Sequence, residues 1–305
     1  MTAEVVGGVE TAPSTVVSRG RMARLRELAP FVPAGLLLGV LFFAPLAVML
    51  VFSFWQTNAN LDIVPTWTLD NYATFFQTSA YLRTLAKTVI MGGAVTAICL
   101  VVAFAIAYFL ARYVSRRWAR IALLVVIVPF WSSYLLRVYS WQAILGEKGA
   151  LNQLLMGLGL ISEPSRLFVY NDIGTFIVLT YVYLPFAILV LYASLERFDY
   201  TQLTAAQDLG ASPSRAFRHV LLPQIRPGLI TAAIFVFIPI LGEFLTPSMV
   251  GGASGLLIAN LIQTFFKNAL VPQGAALGFL IVAFVTVLLI IFRRYLRVED
   301  VYARG

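Results

Sequence analysis

Charge is scarce in this chain. Only 12% of its 305 residues are Asp, Glu, Lys or Arg, against about a quarter in soluble domains. Hydrophobic residues make up 60%, and the mean hydropathy is +0.87. So little charge cannot clothe a water-facing surface, and the composition points to a membrane. Cysteine is nearly absent. Cys99 stands alone inside an apolar run, which excludes a disulfide framework and a cysteine metal site and fits a buried, inert thiol. Histidine is as rare, with His219 the single example. With so few polar residues in the apolar runs, no metal site is expected. No GxxxxGK(S/T) phosphate loop occurs, so this chain is not expected to hydrolyse ATP by itself.

What is present is a set of long apolar runs. Residues 31–55, 88–111, 121–145, 173–195, 227–249 and 272–292 each approach or exceed the roughly 20 residues that cross a bilayer core. Lipid admits only structures that satisfy their own backbone polar groups, and runs this long predict helices. The expected fold is an all-α membrane protein with six transmembrane helices spread over residues 31–297. Four runs carry no charge, while the third holds Arg137 and the fifth holds Glu243. The first run is too long for a signal-peptide core and reads as a retained anchor. Residues 1–30 read as a tail, polar and then basic, and disordered by composition. Residues 298–305 form a short C-terminal end.

The net charge of +8 is explained by where it sits. Arg19, Arg21, Arg24 and Arg26 precede the first span. Arg112, Arg116, Arg117 and Arg120 fall between spans two and three, and Arg197, Arg215, Arg218 and Arg226 between spans four and five. Arg293, Arg294, Arg297 and Arg304 follow the last. Only Arg83, Lys87, Lys148, Arg166 and Lys267 fall on the other side. The positive-inside rule then predicts both termini in the cytoplasm. The basic charge reports topology, and a nucleic-acid partner is not expected.

One cytoplasmic stretch stands out: AAQDLGASPSRAFRHVLLPQIRPG, residues 205–228. Leu203, Ala206 and Leu209 form a short apolar stripe, which Gly210 ends as a glycine past a helix end does. Ser212-Pro213 restarts a helix with serine as cap and proline in its first turn. Phe217, Val220 and Leu221 follow at helical spacing, and Pro223 is expected to stop that second helix. Two short helices bent across Gly210 are predicted. Spacing alone leaves two readings open: an amphipathic loop lying on the membrane surface, or a knob for a socket on another protein.

The pattern AAxDLGAS, followed by Phe217, Leu222-Pro223 and Pro227-Gly228, resembles the cytoplasmic coupling motif of ABC importer permeases. That motif usually begins Glu-Ala-Ala, and this chain has Thr204 at the glutamate position. The segments PFWSSYLLRVYSW at 129–141, YLPFAILVLYASLERFD at 183–199 and GEFLTPSMVGG at 242–252 are similar to the spermidine/putrescine branch of that family. The likeness spans roughly residues 31–297. It implies the type I importer permease fold, with a loop at about 201–223 that docks on a separate ATPase. Ala205, Ala206, Asp208, Gly210, Ala211, Phe217, Leu222 and Pro223 are its coupling residues by this resemblance. It further implies two copies of an ABC ATPase subunit, a second permease chain and an extracytoplasmic solute-binding protein. The cofactor would be ATP, used by the partner and not by this chain. The location implied is the bacterial inner membrane, and the substrate a polyamine or related small organic cation, with another small solute as the alternative.

Arg137 and Glu243 are expensive inside a membrane and are functional candidates for that reason. In straight helices each lies 16 residues from the cytoplasmic start of its span, about 24 Å into a core about 30 Å thick. Three readings stay open. Arg137 pairs with Glu243, Glu243 faces the pathway and attracts a cation, or Arg137 snorkels to the outer headgroups. Trp131, Tyr134, Tyr139 and Trp141 flank Arg137. They suit either cation–π contact with an amine or an interfacial aromatic belt. Gly242 and Pro239 would let the fifth helix bend beside Glu243.

Two other classes fit the sequence less well. GASG at 252–255 superficially matches a GxSG serine-protease motif, but His219 and Ser254 are expected on opposite sides of the membrane, beyond hydrogen-bond reach. A secondary transporter or channel has no use for a cytoplasmic two-helix knob, and no inverted repeat is visible.

Overall fold

In the computed structural model, residues 32–296 are described. The N-terminal tail and the C-terminal end expected from the sequence lie outside them. The first described helix, α1 (Val32–Phe52), is 21 residues of apolar sequence with Pro45 inside. It is long and apolar enough to cross a membrane.

The body that follows begins with an element the sequence did not predict. Gln56–Thr57 (β1) and Ile63–Val64 (β2) form a two-stranded antiparallel ladder. The turn between them is closed by the Asn58 side chain, whose Oδ1 accepts from the amides of Asn60 and Asp62 at 2.9 and 2.8 Å. A short helix α2 (Asp70–Gln77) then leads into α3 (Ser79–Tyr113), a single helix of 35 residues. At 1.5 Å per residue α3 is about 52 Å long, well beyond a bilayer core.

The core is a bundle of α3, α7 (Asp172–Glu196) and α9 (Pro213–Leu241). On α3 the fully buried Val95, Cys99, Ala103 and Ala107 recur every fourth residue. A stripe of small side chains on one face lets neighbouring helices approach closely, which is how helices pack where lipid supplies no hydrophobic drive. Cys99 is part of that stripe, and its thiol points at the Thr180 carbonyl at 3.6 Å. On α9, Gly228 permits the crossing with α7, because a Cβ there would collide with the Ser194 side chain.

Two expectations about helix ends are corrected. Pro223 does not stop a helix. The stretch from Pro213 runs without a break into the fifth span, to Leu241. Proline removes an amide donor and crowds the carbonyl four residues back. The helix absorbs this with a π turn over Phe217–Leu221, where the Leu222 amide reaches the Phe217 carbonyl. Such a turn widens the helix just before the proline.

The third span is not straight. It consists of α4 (Arg116–Ile127), a 3-10 turn (Val128–Trp131) and α5 (Tyr134–Leu145), continued by α6 (Ala150–Gly157). The two halves meet at 93°. Pro129 ends the first half. Ser132 and Ser133 have extended backbone, and Ser132 Oγ donates to the Pro129 carbonyl at 2.6 Å. Serine offers the backbone an alternative to the helical bond, and proline withholds one. Among the described residues five helices are long and apolar enough to cross a membrane, and the bent pair counted as one makes six.

After α9 come α10 (Leu245–Val250), α11 (Ile258–Lys267) and α12 (Val271–Leu296). A small second core of Phe75, Ile258 and Leu277 joins α2, α11 and α12. The bundle is clasped at both ends. Lys87 pairs with Asp172 at 2.7 Å and also reaches the Ser254 carbonyl. At the opposite end Arg116 pairs with Glu196 at 2.9 Å.

Candidate functional site

Two places combine an interrupted helix with polar chemistry. The first is the turn at Gly210. Helix α8 (Thr201–Asp208) ends there in a Schellman cap. The Ala211 amide donates to the Ala206 carbonyl at 3.0 Å and the Gly210 amide to the Gln207 carbonyl at 2.8 Å. That arrangement needs a left-handed residue, and Gly210 has φ +86°. The space beside it is open, with no atom of the described residues within 4 Å of where a Cβ would be. The glycine is therefore demanded by backbone conformation, not by crowding.

The turn is held by its arms. Leu203, Ala216 and Leu221 are buried in the main core, and the Gln224 side chain donates to that of Gln202 at 2.5 Å across the hairpin. Asp199 Oδ1 accepts from the Thr201 amide and hydroxyl at 3.0 and 2.7 Å. These bonds, the hydroxyl's first, hold the Asp199 carboxyl below its usual range. Of the motif residues, Ala205, Asp208, Gly210, Leu222 and Pro223 are exposed, whereas Ala206, Ala211 and Phe217 are half-buried. The apolar stripe read from the sequence is corrected at its end. Leu209 does not follow Leu203 inward but stands 89% exposed at the tip. The cap turns the chain after Asp208, so helical periodicity no longer applies at Leu209.

The second place is the break between α9 and α10. Gly242 ends α9, and Glu243, which is buried, follows it. Its Oε1 accepts from the amides of Leu245 and Thr246, at 2.9 and 3.2 Å. Its Oε2 accepts from the hydroxyls of Tyr134 and Tyr183, at 2.7 and 3.2 Å. The Tyr134 oxygen lies 2.6 Å from Thr246 Oγ1. Tyrosine has one proton, already given to Glu243, so Thr246 is the donor there. One carboxylate thus ties the second half of span three, span four and both sides of the break in span five.

Arg137 does not join this network. The 93° bend removes the straight-helix geometry that gave the two residues a common depth. The Arg137 guanidinium folds back over the Phe130 ring, 4.3 Å from its centroid, and lies 5.7 Å from that of Tyr134. Nη1 donates to the Pro129 carbonyl at 3.4 Å. It adds a third, long contact to a carbonyl that already accepts from the Ser132 amide and hydroxyl. Nor do the candidate aromatics form one cage. Trp131 is 86% exposed, Tyr134 is engaged with Glu243, and Trp141 packs on Tyr181 at 5.1 Å. A cavity of about 560 Å³ lies beside the break, bordered by Gly242, Phe244, Gln263 and Lys267. His219, whose ring lies 3.0 Å from the Arg215 carbonyl, sits in the second turn of α9, and Ser254 lies beyond its far end. About 33 Å of helix lies between them.

Comparison with known proteins follows the same lines. Residues 103–298 match the family described as binding-protein-dependent transport system inner membrane component. The chain belongs to this family. It is the transmembrane permease subunit of an ABC importer. The permease is 34% identical over 253 residues to the spermidine/putrescine transport system permease protein PotB of Escherichia coli K12, covering 83% of this chain and 91% of that one. It is 33% identical to PotB of Haemophilus influenzae, over 74% of this chain and 79% of the relative. The inner membrane ABC transporter permease protein YdcU of E. coli K12 is 32% identical, over 74% of this chain and 75% of the relative. In fold, the permease resembles a chain of a bacterial ABC transporter involved in import of the acidic polysaccharide alginate. The TM-score is 0.74 at 16% identity, covering 91% of this chain and 97% of the other.

Sequence reasoning missed the roles of Tyr183 and Thr246 and turned Leu209 inward. Tyr183 and Thr246 were invisible because their partner comes from another span. Pro129 with Ser132-Ser133 was a signal for the bend that the apolar count overrode.

Proposed function

We propose that this permease imports a polyamine or a related small organic cation through the bacterial inner membrane, with both termini in the cytoplasm. One of two copies of a separate ATPase subunit docks on the 201–223 hairpin, and the pair hydrolyse the ATP. A second, different permease chain completes the pathway, and an extracytoplasmic binding protein delivers the solute. The observation that carries the coupling role is the exposed Leu209–Gly210 tip, rigidly capped and anchored by buried Leu203, Ala216 and Leu221. An apolar side chain left in water at the point of a rigid hairpin is suited to a groove on a partner. Closure of the ATPases moves the hairpin, and the spans rock between outward-open and inward-open states. The polyamine assignment is supported by the names of the PotB relatives.

Glu243 enters this reading as a fixture of the fold. Its four donors are neutral, and in this reading the same carboxylate also draws the cation along the pathway. A second reading, import of a different small solute, has Lys267 in its favour: an ammonium on the wall of the cavity beside the break repels polyamines. Mild-detergent purification of the tagged permease, with mass spectrometry of what accompanies it, tests the assembly. An ATPase, a second permease and a binding protein are expected, and that binding protein can then be titrated with spermidine and putrescine. A permease that stays alone through crosslinking would overturn the importer assembly, and a binding protein indifferent to both amines would overturn the substrate.

A further inference from the structure

The hairpin that holds Gly210 is gripped by a row of rings on the second span. On α3, Phe104, Tyr108 and Arg112 follow at four-residue intervals and so share a face. Phe104 meets Phe217, on the π turn of the hairpin's second arm, edge to face at 5.7 Å. Phe104 stacks on Tyr108 at 5.8 Å. Tyr108 meets Tyr200, at the start of the first arm, edge to face at 6.2 Å. The Arg112 guanidinium covers the same Tyr200 ring, 4.8 Å from its centroid. Phe198, buried, closes on Tyr200 at 5.1 Å. Both arms of the hairpin are thus held by one face of one helix.

The Tyr200 hydroxyl is buried without a hydrogen-bond partner among the described residues. Burial, with Tyr108 beside it, pushes its phenol up to about 12, so it stays neutral at working pH. The ring is therefore the part that binds. A buried hydroxyl left unpaired is an expense that a phenylalanine would avoid. Aromatic pairs have set distances and angles, each worth more than its buried area, and a stacked guanidinium adds attraction.

We infer that Phe104, Tyr108 and Arg112 form a clamp that receives the movement of the coupling hairpin and delivers it to the second span, with Tyr200 and Phe217 as its two grips. They are positioning residues: none of them is assigned contact with solute or nucleotide. The inference rests on the coupling role proposed above for the hairpin. It adds that α3 is driven directly by this contact as well as through the covalent continuity of α7 and α9 with the hairpin.

The test is hydrogen exchange on the purified assembly with its ATPase, nucleotide-free and trapped with Mg-ATP and vanadate. Wild type is expected to show a trapping-dependent change at residues 104–113. Tyr200→Ala should reduce that change severalfold with the ATPase still bound. Tyr200→Phe should preserve it, because the hydroxyl bonds nothing. Arg112→Gln, a substitution at an exposed helix end that leaves folding intact, should weaken it about threefold through loss of the cation–π contact. A change at 104–113 that survives both Tyr200→Ala and Arg112→Gln at full size would overturn the clamp, as would its absence in wild type. A second readout stands apart from the importer reading. In the permease alone, Tyr200→Ala should speed exchange at residues 201–209 about tenfold, and unchanged exchange there would overturn the clamp. If no ATPase accompanies the wild type, the importer assembly fails while this second readout still decides the clamp.

Discussion

The permease interrupts its helices at two levels, and the two interruptions are built in opposite ways. At Gly210 the turn is made by the backbone alone. Two capping bonds close it, Leu209 before it is exposed, and no described atom lies within 4 Å of where a Cβ would be. At Glu243 the break is made by a side chain. A buried carboxylate takes four donors from three spans and leaves no free lone-pair direction in the network. The difference matches what each level must do. A turn that meets a partner has to keep its shape while presenting bare surface, and a glycine cap does so without covering anything. A break inside lipid has no water to satisfy the freed amides, so the chain must bring its own acceptor. Coupling and pathway therefore fail in different ways when mutated, and the comparison can be broken from either side.

The largest effect is expected at the buried break. Glu243→Ala leaves two amides and two tyrosine hydroxyls without their acceptor. Hydrogen bonds to a charged group contribute about 1.5–3 kcal/mol each and are not additive, so a loss of about 3 kcal/mol is expected. Thermal unfolding in detergent and the membrane abundance both report it. Glu243→Gln separates structure from charge. Its single carbonyl still accepts on one side, so about half of the loss is expected. If solute uptake by the Gln variant matches its abundance, the carboxylate's charge plays no part in transport. An uptake loss well beyond the abundance loss would mean that Glu243 also draws the cation.

Next comes Gly210, where the structure makes a graded prediction. Since a Cβ would touch nothing, only the positive φ resists substitution, at about 1–2 kcal/mol for an ordinary residue. Asparagine tolerates that region best and a β-branched residue worst. Uptake should fall in the order Asn, Ala, Val, with abundance nearly constant. Equal uptake by Gly210→Val and wild type, at equal abundance, would remove the cap from the coupling mechanism. Leu209→Ser sharpens the contrast. An 89% exposed side chain holds nothing inside the permease, so unfolding should not move by more than about 0.5 kcal/mol. Recovery of the ATPase in the pull-down should fall severalfold. Undiminished recovery would place the docking contact elsewhere on the hairpin.

These two regions were unequally legible in the sequence. The Gly210 turn was readable because its cause is local: a helix end, a glycine and a restart signal in consecutive positions. The span count was readable because lipid imposes length and apolarity. The bend of span three was written in Pro129 and Ser132-Ser133, but a reading based on apolar length treats such a run as one rod. Once the rod bends, the common depth of Arg137 and Glu243 no longer holds. The Glu243 network could not be read, since Tyr134 and Tyr183 are 109 and 60 residues away and nothing local links them. Pro223 misled for a physical reason. Proline usually ends a helix, but a π turn one step earlier gives it room.

The smallest effect, at Asp199, separates the two kinds of interruption most finely. Its carboxyl closes an Asx-type turn at the entry to α8, a local polar device of the sort the buried break uses, yet set in water. Hydrogen bonds from Thr201 depress its protonation in the folded state. A depressed carboxylate contributes stability above its unfolded value of about 4, and that contribution is lost as pH falls through the folded value. Exchange of the Thr201–Leu203 amides should therefore be slower, relative to intrinsic rates, at pH 6 than at pH 3. Asp199→Asn, whose carbonyl still accepts both bonds, should be flat across that range, and Asp199→Ala should exchange faster throughout. Full solvent exposure keeps each change small, and transport at neutral pH should be unaltered in the Asn variant. If Asp199→Asn instead abolished transport with the turn intact, the charge itself would be needed. The ATPase contact would then extend from the Leu209 tip down to the root of the hairpin, where the ring clamp begins.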